Sequence, residues 1–87
     1  MWYVYILRCA DGHFYVGETG NLASRLTLHN EGTASAFTAS RRPVAMVYAE
    51  SYATRDAARK RERQIKGWTR RKKEALLAGD AATLKRL

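Results

Sequence analysis

The chain has one cysteine, Cys9, and one proline, Pro43, in 87 residues. A lone thiol cannot form a disulfide within the chain, so the fold must stand on packing, as expected in a reducing cytosol and a cytoplasmic setting. No stretch approaches the roughly 20 apolar residues that a spanning helix needs, so a membrane is not an expected partner. The opening run Met1-Trp2-Tyr3-Val4-Tyr5-Ile6-Leu7 lacks a basic leader and meets Arg8 too soon for a secretory signal. There is no Gly-rich phosphate loop, and no CxxC or HExxH for zinc. Ser, Thr and Cys occur, but none with a local nucleophile signature. What remains is 46 % hydrophobic and 28 % charged, a globular composition. The length suits one domain, 1–87, with one compact core.

Acidic residues are also scarce, and their distribution is uneven. Residues 1–52 hold Arg8, Arg25, Arg41 and Arg42 against Asp11, Glu18, Glu31 and Glu50 and sum to zero. Residues 53–87 hold twelve Lys and Arg against Asp56, Glu62, Glu74 and Asp80, so the whole formal charge of +8 sits there. A polyanion is the natural partner for such a segment, because neutralising phosphates releases counterions.

Residues 2–8 are apolar on both faces, with Trp2, Val4 and Ile6 on one and Tyr3, Tyr5 and Leu7 on the other, which predicts a central strand covered on both sides. Asp11-Gly12 signals a hairpin, and residues 13–17 read as the returning strand. Asn21 caps a helix from about Leu22 to Asn30, which Gly32 stops. Residues 31–43, rich in small and hydroxyl side chains, read as a loop, and Pro43 opens a third strand from Val44 to about Glu50. Thr54 caps a helix over 55–66, Thr69 caps another before Gly79, and Asp80 opens a short helix ending at Leu87. The expectation is an α+β fold, a small three-stranded antiparallel sheet flanked by helices in the order β-β-α-β-α-α.

Some residues carry chemistry. Arg25 and His29 are four apart and lie within about 40° on the first helix, beside the stripe of Leu22 and Leu26. A guanidinium offers paired donors to a phosphate, and an imidazole moves protons near neutral pH. The same pair also fits an ordinary helix rim. On the later helix, Glu62 lies within about 60° of the apolar Ala58 and Ile65, with Arg55, Arg59, Arg63 and Lys66 fanning out beyond it. It is the only acid among the seven basic residues from Arg59 to Arg71. Such a carboxylate can hold one hard divalent cation, or make an i,i+4 ion pair with Lys66. Tyr5 and Tyr15 can relay a proton or fill a core.

Taken in order, these residues resemble the GIY-YIG nuclease domain. Tyr3-Val4-Tyr5 stands at the first triplet and Tyr15-Val16-Gly17 at the second. Arg25-Leu26, His29-Asn30 and Glu62 follow, with Arg41-Arg42-Pro43 and Gln64-Ile65-Lys66-Gly67-Trp68 as in the small stand-alone bacterial branch, which is similar to the nuclease domains of structure-specific endonucleases. The resemblance spans about 2–77. It implies an endonuclease hydrolysing DNA phosphodiesters, branched or duplex, with one Mg2+ or Mn2+ ion, and DNA repair or recombination as its setting. Glu62 would hold the metal and Arg25 would stabilise the scissile phosphate. Tyr5, Tyr15 and His29 would position and deprotonate the attacking water between them. The chain departs from the pattern at Tyr3, which replaces the first glycine, at Glu18, and in lacking an Asn after Glu62.

A shared site for Tyr5 and Tyr15 demands one face of the hairpin. A two-residue Asp11-Gly12 turn would put them on opposite faces, so a loop of three or five residues is expected. The backbone-contacting residues are expected to be Arg41, Arg42, Arg59, Arg63, Lys66, Arg70 and Arg71. Two other readings use the same residues: a non-catalytic nucleic-acid-binding module, and a subunit contacting a protein partner through Trp2, Trp68 or the C-terminal helix.

Overall fold

The computed structural model describes residues 1–86. Its elements are β1 (Trp2–Cys9), β2 (Phe14–Thr19), α1 (Leu22–Glu31), α2 (Ala36–Ala39), β3 (Val44–Tyr52), α3 (Arg55–Lys66), α4 (Arg70–Ala78) and α5 (Ala81–Arg86). The strands form an antiparallel α+β sheet in the order β2-β1-β3, with helices on both faces. The central strand is the one apolar on both faces. Val4 and Ile6 join Val16, Ala58 and Ile65 in a core beneath α3, while Tyr5, Leu7 and Cys9 join Val44 in a second core beneath α1. No described helix is long and apolar enough to cross a membrane.

The hairpin has the odd loop. Tyr5 pairs with Gly17 and Leu7 with Tyr15, and the Cys9 N–H donates to the His13 carbonyl at 2.8 Å, leaving residues 10–12 as the turn. Gly12 takes φ 87°, the left-handed position that closes a three-residue loop and that a side chain would strain. Tyr5, Tyr15 and Gly17 therefore share the α1 face. Gly17 lies under the Tyr5 ring, and a Cβ built there would stand 2.6 Å from Cζ of that phenol. Glycine fits because the aromatic ring occupies the space a side chain would take.

The expected loop over 31–43 needs correction, because α2 interrupts it. Ser35 accepts from the Phe37 N–H and starts a four-residue helix too short to leave a periodicity in the sequence. The expected order β-β-α-β-α-α accordingly gains α2, and α5 closes the chain after α4. β2 runs to Thr19 and β3 to Tyr52, each two residues beyond its expected end. Leu87, the last residue of the expected final helix, lies outside the described residues.

Two polar clamps hold the layers together. The Asn30 amide donates to the Val44 carbonyl at 3.1 Å and accepts from the Val44 N–H at 2.9 Å, tying the end of α1 to the start of β3. On the other face Arg61 of α3 grips Glu50 of β3 with Nε at 3.0 Å and Nη2 at 3.1 Å, and the phenols of Tyr48 and Tyr52 donate to the same carboxylate.

Candidate active site

Tyr5, Tyr15 and His29 converge between the sheet and α1. Asn21 accepts from the Ser24 N–H and starts α1 so that His29, two turns on, points inward. It is completely buried, not at the rim of the helix. The Tyr15 and His29 rings meet edge to face at 5.0 Å, Tyr5 and His29 at 5.8 Å, and Tyr5 and Tyr15 at 6.4 Å. Tyr5 is 1 % exposed, whereas Tyr15 is half-buried and opens onto a surface groove.

A hydrogen-bonded chain runs through this cluster. Tyr5 Oη lies 2.8 Å from His29 Nε2, and His29 Nδ1 lies 2.8 Å from Thr38 Oγ1, which in turn donates to the Ser35 carbonyl at 3.3 Å. The Thr38 proton is committed to that carbonyl. The arrangement that satisfies every atom has His29 Nδ1–H donating to Thr38 and the Tyr5 O–H donating to an unprotonated Nε2. Burial and the nearby Arg25 hold the His29 pKa below its ordinary value, which keeps the ring neutral. Burial, together with Tyr15, Glu62 and Glu18, pushes the Tyr5 phenol well above its ordinary value, with Arg25 pulling the other way. Thr38 was not legible as a site residue, because it stands in the stretch that reads as a loop. The only local signal was Ser35 as a helix cap.

Arg25 stands one turn before His29 and lines a cleft of about 420 Å³ with Trp2, Glu18, Asn21, Ser24 and Arg55. Glu18 is mostly buried there. Its Oε1 meets Arg55 Nη2 at 3.3 Å, and its shielded Oε2 has no hydrogen-bond donor among the described residues.

Glu62 belongs to α3 in the opposite layer, and its charge is among those that raise the Tyr5 pKa. It lies on the side of α3 that carries Arg55 and Lys66, which come up to β2 at Glu18 and at the Tyr15 groove. Its carboxylate faces Lys66 Nζ at 3.4 Å. Among the described residues no three His, Cys, Asp or Glu side chains converge as a metal cluster. One carboxylate nevertheless fits a hard ion such as Mg2+, which keeps several waters and takes its other ligands from substrate phosphate.

The seven basic candidates divide by what they already hold. Arg41 stands 3.1 Å from Asp11 Oδ2 and donates to the Phe37 carbonyl at 2.9 Å, and Arg42 donates to the Ala39 and Asn30 carbonyls. Arg70 donates to the Gly12 carbonyl at 2.7 Å and pairs with Glu74, while Lys66 holds Glu62. Arg59, Arg63 and Arg71 are exposed, and none has a side-chain hydrogen bond or ion pair among the described residues. Trp2 and Trp68 are half-buried under cations, Arg55 over the first and Arg61 and Lys72 over the second.

Tyr5 and Tyr15 of the hairpin and His29 of α1 thus form one cluster, with Glu62 on α3 in the opposite layer. The GIY-YIG catalytic domain family matches residues 1–75, and the chain belongs to that family. Members of this family generally use divalent metal ions. Within it, the similar relatives are small proteins named UPF0213. One from Bacillus pumilus is 46 % identical over 72 residues, covering 83 % of this chain and 74 % of its own. One from Staphylococcus aureus is 44 % identical over 75 residues, covering 86 % and 92 %. The solution NMR structure of a UPF0213 protein from Bacillus halodurans superposes with a TM-score of 0.60 at 34 % identity, covering 92 % of this chain and 86 % of that one.

Proposed function

We propose that the protein is a metal-dependent endonuclease that hydrolyses DNA phosphodiester bonds, with DNA repair or recombination as its setting. The observation that carries this reading is the Tyr5–His29–Thr38 chain. A phenol with so high a pKa does not ionise alone, but it can accept a proton from water while handing its own to a partner. The Tyr5 O–H already points at the lone pair of a neutral imidazole, so Tyr5 takes the water proton as His29 Nε2 takes the phenolic one. Thr38 keeps the other ring nitrogen protonated and holds the ring in register.

Tyr15, nearer the surface, orients the water, and Arg25 offers its fork to the scissile phosphate. Glu62 would hold one divalent ion, Mg2+ or Mn2+, which when bound supplies Lewis-acid stabilisation of charge on the phosphoryl oxygens. Arg59, Arg63 and Arg71 meet the DNA backbone, with Lys66 joining them when it releases Glu62. Arg41, Arg42 and Arg70 act first as braces of the loops they hold.

Purified protein incubated with branched, flapped and plain duplex DNA in Mg2+ or Mn2+ should cut at least one of them. Arg25→Ala and Glu62→Ala should each lower the rate by about 100-fold or more while leaving fold and DNA binding intact. Undiminished cutting by either variant sinks the assignment. One observation favours a second reading: the Lys66 ammonium already sits on Glu62, as it would in a non-catalytic binding module. That module binds DNA with salt-sensitive affinity and never cuts it with either metal.

A further inference from the structure

A second feature lies beside this cluster. Phe37 sits on α2 with 37 % of its surface exposed and belongs to neither core. A single exposed aromatic is ordinary, but the surroundings of this one are not. Arg41 stacks on its ring at 3.9 Å and is itself fixed by Asp11 and by the Phe37 carbonyl. The His13 ring meets Phe37 edge-on at 6.0 Å, and the Tyr15 ring lies 6.1 Å away at a 31° tilt. Phe37 also lines a groove of about 230 Å³ along the outer side of β2, together with Phe14, Tyr15, Val16, Lys66 and Lys73. Arg41 covers part of the ring, and 37 % of Phe37 remains exposed where it lines the groove.

This groove is continuous with the candidate active site through Tyr15 and through Lys66, the partner of Glu62. Its volume is below that of typical enclosed small-molecule sites, about 300–1,000 Å³, and it suits one part of a longer strand. An aromatic face bordered by lysines is the chemistry that takes a nucleobase with its flanking phosphates. The guanidinium stacked on the ring, itself fixed by Asp11 and the Phe37 carbonyl, leaves the ring preorganised.

We propose that this groove is a base-stacking subsite, in which Phe37 receives the face of one unpaired nucleobase and Lys66 and Lys73 hold the phosphates beside it. The proposal rests on the nuclease reading for its place in the reaction, but its test does not need cutting. Binding is measured by fluorescence anisotropy in EDTA, using a duplex with one unpaired thymine and the same duplex with an abasic site there. Phe37→Leu keeps the apolar bulk and loses the stacking face. It should bind the thymine substrate about tenfold more weakly than wild type and the abasic substrate equally well, and Phe37→Trp should restore affinity. Lys73→Ala should lower the slope of log affinity against log salt by about one on both substrates.

Equal losses on both substrates, or no loss on either, overturn the subsite, and thermal unfolding of Phe37→Leu reports whether the fold is kept. A protein that cuts but lacks this abasic coupling retains the nuclease reading and loses the subsite. One that has the coupling but never cuts does the reverse.

Discussion

Thr38 touches no substrate in the proposed reaction, yet it decides which nitrogen of His29 is free. Removing its oxygen strands a buried N–H at a cost of about 1–3 kcal/mol and lets the ring adopt the other tautomer. Thr38→Val should therefore lower the cutting rate by about tenfold or more, with Thr38→Ser recovering it. Nitrogen shifts of the His29 ring in NMR should reveal the tautomer change, which loosened packing alone would not produce. Gly17 is the complementary case. Gly17→Ala drives a methyl into the Tyr5 ring, so thermal unfolding should register a loss of about 1–3 kcal/mol and the Tyr5–His29 hydrogen bond should break. Singly, Tyr5, Tyr15, Arg25, His29 and Glu62 each fitted an ordinary core or rim position, and only their ordered set, through its resemblance to the GIY-YIG pattern, marked them as candidates. Thr38 was not in that set, because its importance comes from a fold-back of nine residues that no periodicity announces.

Among the elements, the sheet was the most legible. A strand apolar on both faces can only be central, and the need to put two phenols on one face forced an odd loop against the simpler turn signal. Short α2 escaped because four residues hold barely one turn, and its stability comes from Ser35 and from burying Thr38 rather than from its own propensity. The α3–β3 clamp escaped as well, because Glu50 and Arg61 are eleven residues apart on different elements. Burial by itself would raise the Glu50 pKa, but the Arg61 fork and the two phenols outweigh it and hold the carboxyl below its ordinary range. A depressed carboxylate contributes stability above the unfolded value, and that contribution fades as pH falls through the folded one. Glu50→Gln should therefore melt well below wild type at pH 7, and the gap should close as pH drops below about 4.3. A gap that stays constant between pH 7 and pH 3 would refute the clamp.

For the whole molecule, the neutral first half supplies Tyr5, Tyr15, Arg25 and His29 of the candidate centre, and the basic remainder supplies Glu62 together with the attraction for a polyanion. Affinity for duplex DNA should fall with salt at a log–log slope of about 0.9 per phosphate neutralised. Charge-removing variants of Arg59, Arg63 and Arg71 should each flatten that slope by about one, whereas Arg42→Gln should mainly lower the melting temperature. The sequence could count these cations but could not tell braces from free charges, because that depends on which carbonyls the folded loops present to them.

The candidate centre also straddles the sheet. Its phenols and imidazole belong to one layer and its carboxylate to the other. In the proposed reaction both layers must be docked at once, so a partial separation of the layers abolishes cutting before it abolishes the sheet. On slow heating, turnover should decay several degrees before the circular dichroism signal collapses, making the loss of cutting an early reporter of delamination.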